Sequence, residues 1–596
     1  MSSRSSRTTA LAARRLAAAA GIVAAVALAA APSGGQVADT PDAPPAPPPK
    51  SLLPDTFGPP PPPAVIAPAP LPLTPPADTP PPDETAVADA PLPEATGPAI
   101  GAVGPLTPDL GGYGPGLFAG SDGRFVDGLL RRLTVPVASR WAHIALRRAL
   151  ASRAEAPAGA NAADWVADRA RVLLAMGEVD AAKALVDNLA VDRMTPRLIR
   201  VAGQAALAAG DVPALCPLAE AGSAVSPDPL WPLATAMCAA IAGDDVAGAS
   251  SFDALRGEGR GAGVDPFDIQ LGERIATVSL GNGRAANLDW DSVGTMTPYR
   301  FGVASAAGVA VPLPKLQALA RATNGASWGW VLHAATQPAA TRAAALVPAA
   351  VLGIASAEDL VGGIAAGSAD LDRSALDGTP AGALRDAFAA ATTADRVAAM
   401  RKLWTGADDR YGALIETGVA AARLPVDRAV ASDAGDLIAA MLAVGIEDRA
   451  KAWWPVVATG DDAAARQGWA LLAVGANGGI AVSPDRFRTW AKDVSPHRAA
   501  LFLAALQGFG AARGGDWDAA ARDFGVVPVA NSWTRAIDAA GAGRRTGEVA
   551  VLAATGLQTG WGGVPPAHLA HIVAAWVAAG RGHEARMIAA EAVTRG

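Results

Sequence analysis

The sequence predicts an all-α fold, a solenoid of helix hairpins that follows a signal peptide and a disordered Pro-rich segment. Three observations lead there. Glycine-acid turns recur at Gly177-Glu178, Gly210-Asp211 and Gly243-Asp244, an interval of about 33 residues. Each turn lies between Ala/Leu-rich helical runs, as in RVAGQAALAAGDVPALCPLAEAG. Hydrophobic residues make up 51% of the 596-residue chain but aromatics only 5%, so alanine carries much of the apolar content. Alanine is the best helix former, whereas aromatic and β-branched residues mark sheets.

Residues 1–31 read as an export signal. Arg4, Arg7, Arg14 and Arg15 form a positive start, and Leu16 to Ala31 carries no charge. That run is short for a membrane span, and Ala27-Leu28-Ala29 offers a small-x-small cleavage site. The expected location is therefore periplasmic or secreted. An uncleaved segment would instead anchor the chain in the inner membrane, facing the periplasm. The residues after Arg14-Arg15 do not suit a twin-arginine signal, and no Cys follows the apolar run to accept lipid.

Residues 32–116 are Pro-rich, with stretches such as FGPPPPPAVIAPAPLPLTPPADTPPPDE. Proline fixes φ and removes donors, so an extended, disordered spacer is expected there. Its charges are nearly all acidic. With a net charge of -7 and no long basic run, nucleic-acid binding is excluded as the main activity.

Residues 117–255 contain the regular repeats. A hairpin buries only one face, and stacking buries the rest. Glycine reaches the left-handed backbone that ends the first helix. The acid after it sits where the next helix dipole favours negative charge. Small residues recur seven before the turn (Ala170, Gly203, Ala236) and five after it (Ala182, Gly248, with Leu215 the exception). This spacing resembles the tetratricopeptide repeat in degenerate form. Pro227 fits its closing position, and Trp165 and Trp231 lie near its early aromatic. The resemblance implies a right-handed solenoid that binds or scaffolds.

Residues 256–430 read as irregular helical pairs of the same solenoid, separated by Gly-rich joints such as GEGRGAGVD and GNGRAANLDWD. Residues 431–596 return to phase. Turns are expected at Gly445, Gly515, Gly547 and Gly580, with small residues at Ala450, Ala520 and Ala585. The final pair, HLAHIVAAWVAAGRGHEARMIAAEAV, is expected to place its charges outward and close the stack as a cap. The stretches RAIDAAGAGRRTGEVAVLAATGLQTG and HEARMIAAEAV resemble uncharacterised exported helical-repeat proteins of alphaproteobacteria.

Cys216 and Cys238 are the only cysteines. They fall on neighbouring helices of adjacent repeats, and in an oxidising compartment they are expected to form a bridge. Buried free thiols are the other reading, and the spacing is unlike a redox Cys-x-x-Cys.

Other chemistry-bearing groups are weaker. His568, His571 and the His583-Glu584 pair could converge on a metal across a hairpin, or be ordinary surface histidines. Asp289 and Asp291 could be paired catalytic carboxylates or part of a calcium site, although the other calcium-loop ligands are missing. Trp328, Trp330, Trp453 and Trp454 could stack on sugars or fill space between helices. No nucleophile elbow, phosphate loop or nucleotide fingerprint occurs.

The expectation is a non-enzymatic exported scaffold that binds a protein or envelope polymer on a concave face and needs no cofactor. Membrane contact requires an uncleaved N-terminus. The alternative is a peptidoglycan-associated enzyme, or a relic of one. Some lytic transglycosylases carry a large helical superhelix beside a catalytic domain, but their Glu-Ser catalytic context is missing here.

Overall fold

The three evenly spaced turns share one local geometry. Gly177, Gly210 and Gly243 have φ of 87°, 64° and 86°. In each, the glycine N–H donates three residues back and the following acid's N–H five back. Glu178 N reaches the Leu173 carbonyl at 2.9 Å, Asp211 N that of Ala206 at 2.9 Å, and Asp244 N that of Ala239 at 2.9 Å. This closes each helix and satisfies its last carbonyls. Gly445 and Gly580 also hold left-handed backbone.

The computed structural model describes residues 100–187, 189–257, 264–279 and 288–596. The predicted signal and most of the predicted Pro-rich spacer lie outside the described residues, as do parts of two Gly-rich joints. The described residues are mainly helical and contain no strand, only the isolated parallel bridges Leu106↔Ser152 and Asp122↔Ala158. None of their helices is long and apolar enough to cross a membrane.

Successive hairpins pack side by side in the first part. The Ala162–Met176 helix lies on Val179–Val186 and on Pro196–Ala209 of the next pair. The Leu230–Ile241 helix lies on Asp245–Gly257, on the Val212–Leu218 segment and on Pro266–Ser279. Val212–Leu218 is a 3-10 stretch with Pro217 inside it, where an α-helical N–H is missing. The expected small positions are buried seams: Ala170, Ala182, Ala236, Ala450, Ala520 and Ala585 have no exposed surface. At Gly203 an added Cβ would meet the Trp231 ring at 2.8 Å.

Three expectations need correction. Residues 100–116, assigned by composition to the disordered spacer, are packed. Val103 is buried and its carbonyl accepts from Arg169 at 3.0 Å. Leu106 exchanges backbone bonds with Ala151 and Arg153, at 3.1 and 2.8 Å. Gly547 is not a turn. It lies within the Thr546–Gly556 helix, where an added Cβ would sit 2.5 Å from the Phe118 ring, and the turn itself is at Arg544, φ 53°. The last helix, Gly582–Arg595, is not an outward-facing cap. It packs on Arg140–Ala151, Ala434–Ala443, Ala463–Gly475 and Pro496–Gly508, and it buries Glu584 and Glu591.

The first and last parts of the described chain therefore meet. Arg140–Ala151 packs on both Thr546–Gly556 and Gly582–Arg595. Glu591 makes the join polar as well as apolar. Its carboxylate accepts from the Ser139 hydroxyl at 2.6 Å, the Arg140 N–H at 3.0 Å and Arg595 at 2.7 Å. A side chain from the far end of the chain thus satisfies an N-terminal N–H that a helix cannot pair internally.

A candidate binding cavity at the first turn

The first glycine turn opens onto a cavity of about 660 Å³. That volume lies in the range of small-molecule and peptide-segment sites. Its walls come from separate stretches: the Gly177-Glu178 turn, the Ser327–His333 helix, and the hairpin of Ala339–Leu352 and Ala357–Gly367.

Backbone approaches fix these pieces. At Gly329 a Cβ would lie 2.1 Å from the Gly177 carbonyl oxygen, so only glycine permits the contact. Gly353, at φ 97°, ends one helix of the hairpin. Ser356 starts the other and shares a reciprocal capping box with Asp359, with bonds of 3.0 and 2.9 Å. Leu332, Leu346 and Ile354 supply the apolar lining.

The polar lining is organised in layers. Glu178 does not cap its own helix. Its Oε1 instead accepts from Arg147 at 3.2 Å and meets His143 Nε2 at 2.9 Å. The Glu178 side chain is only 10% exposed and His143 only 1%. Burial holds His143 below the ordinary histidine range, against the pull of the Glu178 hydrogen bond. Asp180 pairs with His333 Nδ1 at 2.7 Å. That hydrogen bond raises the His333 pKa and lowers that of Asp180. Arg342 lines the same space, with its Nε buried and without a hydrogen-bond partner.

The residues singled out from sequence go elsewhere. Cys216 and Cys238 form a disulfide with Cα atoms 5.5 Å apart, linking the Val212–Leu218 segment to the Leu230–Ile241 helix. The histidines take separate partners. His568 stacks on Trp533 at 4.5 Å, His571 meets Asp538 at 2.8 Å, and His583 meets Glu447 at 3.5 Å. Glu584 accepts from the Tyr113 hydroxyl at 3.0 Å. Asp289 and Asp291 are exposed, and Asp289 accepts from the Asp291 N–H at 3.0 Å to hold its own turn. Trp330 and Trp453 are buried in the core, Trp328 is half-buried, and half-buried Trp454 carries Arg486 over its face.

Two buried charged groups have no counterpart in the sequence pattern. Arg169 is fully buried and gives its guanidinium to three carbonyls, Leu150 at 2.7 Å, Val103 at 3.0 Å and Ser152 at 2.7 Å. Burial lowers its pKa to about 9. Glu416 is buried with Oε1 unpaired, and burial pushes its carboxyl up to about 7. Only their charge within apolar helical runs marks either one in the sequence.

No family model matches this chain, and comparison with curated proteins and with solved structures gives no significant match.

Proposed function

We propose that this chain is a non-enzymatic exported helical scaffold of the cell envelope, and that it holds a partner at the cavity beside Gly177. One observation carries the reading. Three separate helical elements, locked by glycine contacts such as Gly329 on Gly177, converge on one recess of about 660 Å³. A preformed recess on helices loses little ordering entropy when it is filled. The Cys216–Cys238 disulfide is compatible with an oxidising compartment, in keeping with the positive and apolar start of the chain. The tetratricopeptide-like turn spacing supports a binding role of the same kind.

Photo-crosslinking in intact cells tests this. A benzophenone side chain replaces Ala343, which is exposed within the cavity lining, or Val246, which is 75% exposed and lies outside it. The expected result is a discrete adduct from position 343 that is missing from position 246. No adduct at 343, together with cleavage of purified peptidoglycan by the protein, would replace the scaffold reading with an enzymatic one.

A further inference from the structure

Among the described residues, two opposite charges of the cavity lining have no protein partner. Arg342, on the Ala339–Leu352 helix, has a buried Nε without an acceptor. Glu358, in the first turn of Ala357–Gly367, lines the same space and forms no ion pair or side-chain hydrogen bond among the described residues. The two do not pair with each other. The remaining lining charges are engaged: Glu178 with His143 and Arg147, Asp180 with His333, and Asp359 in its capping box.

A buried donor without an acceptor is costly unless a ligand supplies one. A guanidinium is suited to a carboxylate, which it can bind through two parallel bonds. A carboxylate at a cavity wall is suited to an ammonium group. Leu332, Leu346 and Ile354 line the same cavity, with Gly362 and Gly363 offering walls without side chains.

We propose that this cavity binds a short zwitterionic ligand of the amino-acid or peptide class, its carboxylate on Arg342 and its ammonium on Glu358. The proposal rests on the reading of the cavity as the binding site. The two charges on one wall hairpin would set the ligand's direction. The apolar lining would take small aliphatic side chains.

The test is calorimetric titration of the full chain with trialanine, N-acetyl-trialanine, trialanine amide and free alanine. Trialanine is expected to bind, and blocking either end should weaken it at least tenfold. Arg342→Gln should abolish the difference between the free acid and the amide. Glu358→Gln should abolish the difference between the free and acetylated amine. Both positions are partly or fully exposed, so an unchanged helical spectrum will show that the variants fold. Free alanine binding as tightly as trialanine would identify an amino-acid site, and weaker binding a peptide site. Blocked and free trialanine binding equally, or binding untouched by both variants, would overturn the proposal. If trialanine fails to bind while the position-343 adduct persists, the ligand class is wrong and the cavity reading stands. If both fail, the cavity reading falls too.

Discussion

The Ser139 hydroxyl donates to Oε2 of Glu591 at 2.6 Å, across 452 residues of chain. Ser139 also caps the Arg140–Ala151 helix by accepting from Ala142 at 3.1 Å. One serine therefore starts a helix and ties it to the last one. Glu591→Gln removes the charge that Arg595 and the helix N-terminus face, and should destabilise by about 2–4 kcal/mol. Ser139→Ala should cost about 1–2 kcal/mol. The double variant should lose less than the sum, because both act on one network. Urea melts of the three proteins check this, and strict additivity would show that the contact is incidental.

The disulfide gives a second prediction. It closes a loop with a sequence separation of 22. In the chain-entropy model such a closure is worth about 3 kcal/mol. Reductant, or Cys216→Ser with Cys238→Ser, should lower the melting temperature and leave the helical spectrum intact. An unchanged melting temperature would mean that the bridge adds nothing to the fold.

Glu416 predicts a pH dependence of definite sign. Its carboxyl is raised to about 7 from an ordinary 4.5, through burial. The folded state then holds the proton more tightly than the unfolded one. Stability should be fullest below about pH 4.5 for this group and decline as pH rises through 7. Glu416→Gln should remove that slope and stabilise at pH 8 by on the order of 2 kcal/mol. Denaturant melts between pH 4 and 8, in steps of about one unit, read the difference. A variant less stable than wild type at pH 8 would contradict it.

Two glycines separate packing from turn geometry. At Gly329 a Cβ falls on the Gly177 carbonyl, whereas at Gly243 nothing lies within 4 Å and only φ, 86°, resists a side chain. Gly243→Ala should therefore cost about 1 kcal/mol. Gly329→Ala must move backbone against backbone, and should cost about 2–3 kcal/mol and weaken whatever the cavity binds. Equal costs in thermal melts would contradict the close contact.

Local patterns were readable in the sequence, and long-range contacts were not. The turns at Gly177, Gly210 and Gly243 need only their own helix, so even spacing and a following acid reveal them. The Cys216–Cys238 bridge follows from the same phase. Gly547 has the look of another turn, but its glycine serves the Phe118 ring, which no local pattern encodes. Val103 sits in Pro-rich surroundings, and its order depends on Arg169, 66 positions on. Glu178 looks like a dipole-matched acid, yet its carboxylate leaves its own helix for His143 and Arg147. The charges of the last helix suggest an outer face until Glu591 is seen under the first helices. The cavity was hidden for the same reason, since its walls come from stretches that meet only in the fold.

The last helix holds the first helices, and through them the Glu178 side of the cavity, since His143 of Arg140–Ala151 meets Glu178. Hydrogen exchange on a chain ending before Gly582 is the decisive measurement. Protection should be lost in Arg140–Ala151 and Ala434–Ala443 as well as in the neighbouring Pro566–Ala578 helix. Loss confined to Pro566–Ala578, with Arg140–Ala151 as protected as in the full chain, would contradict it.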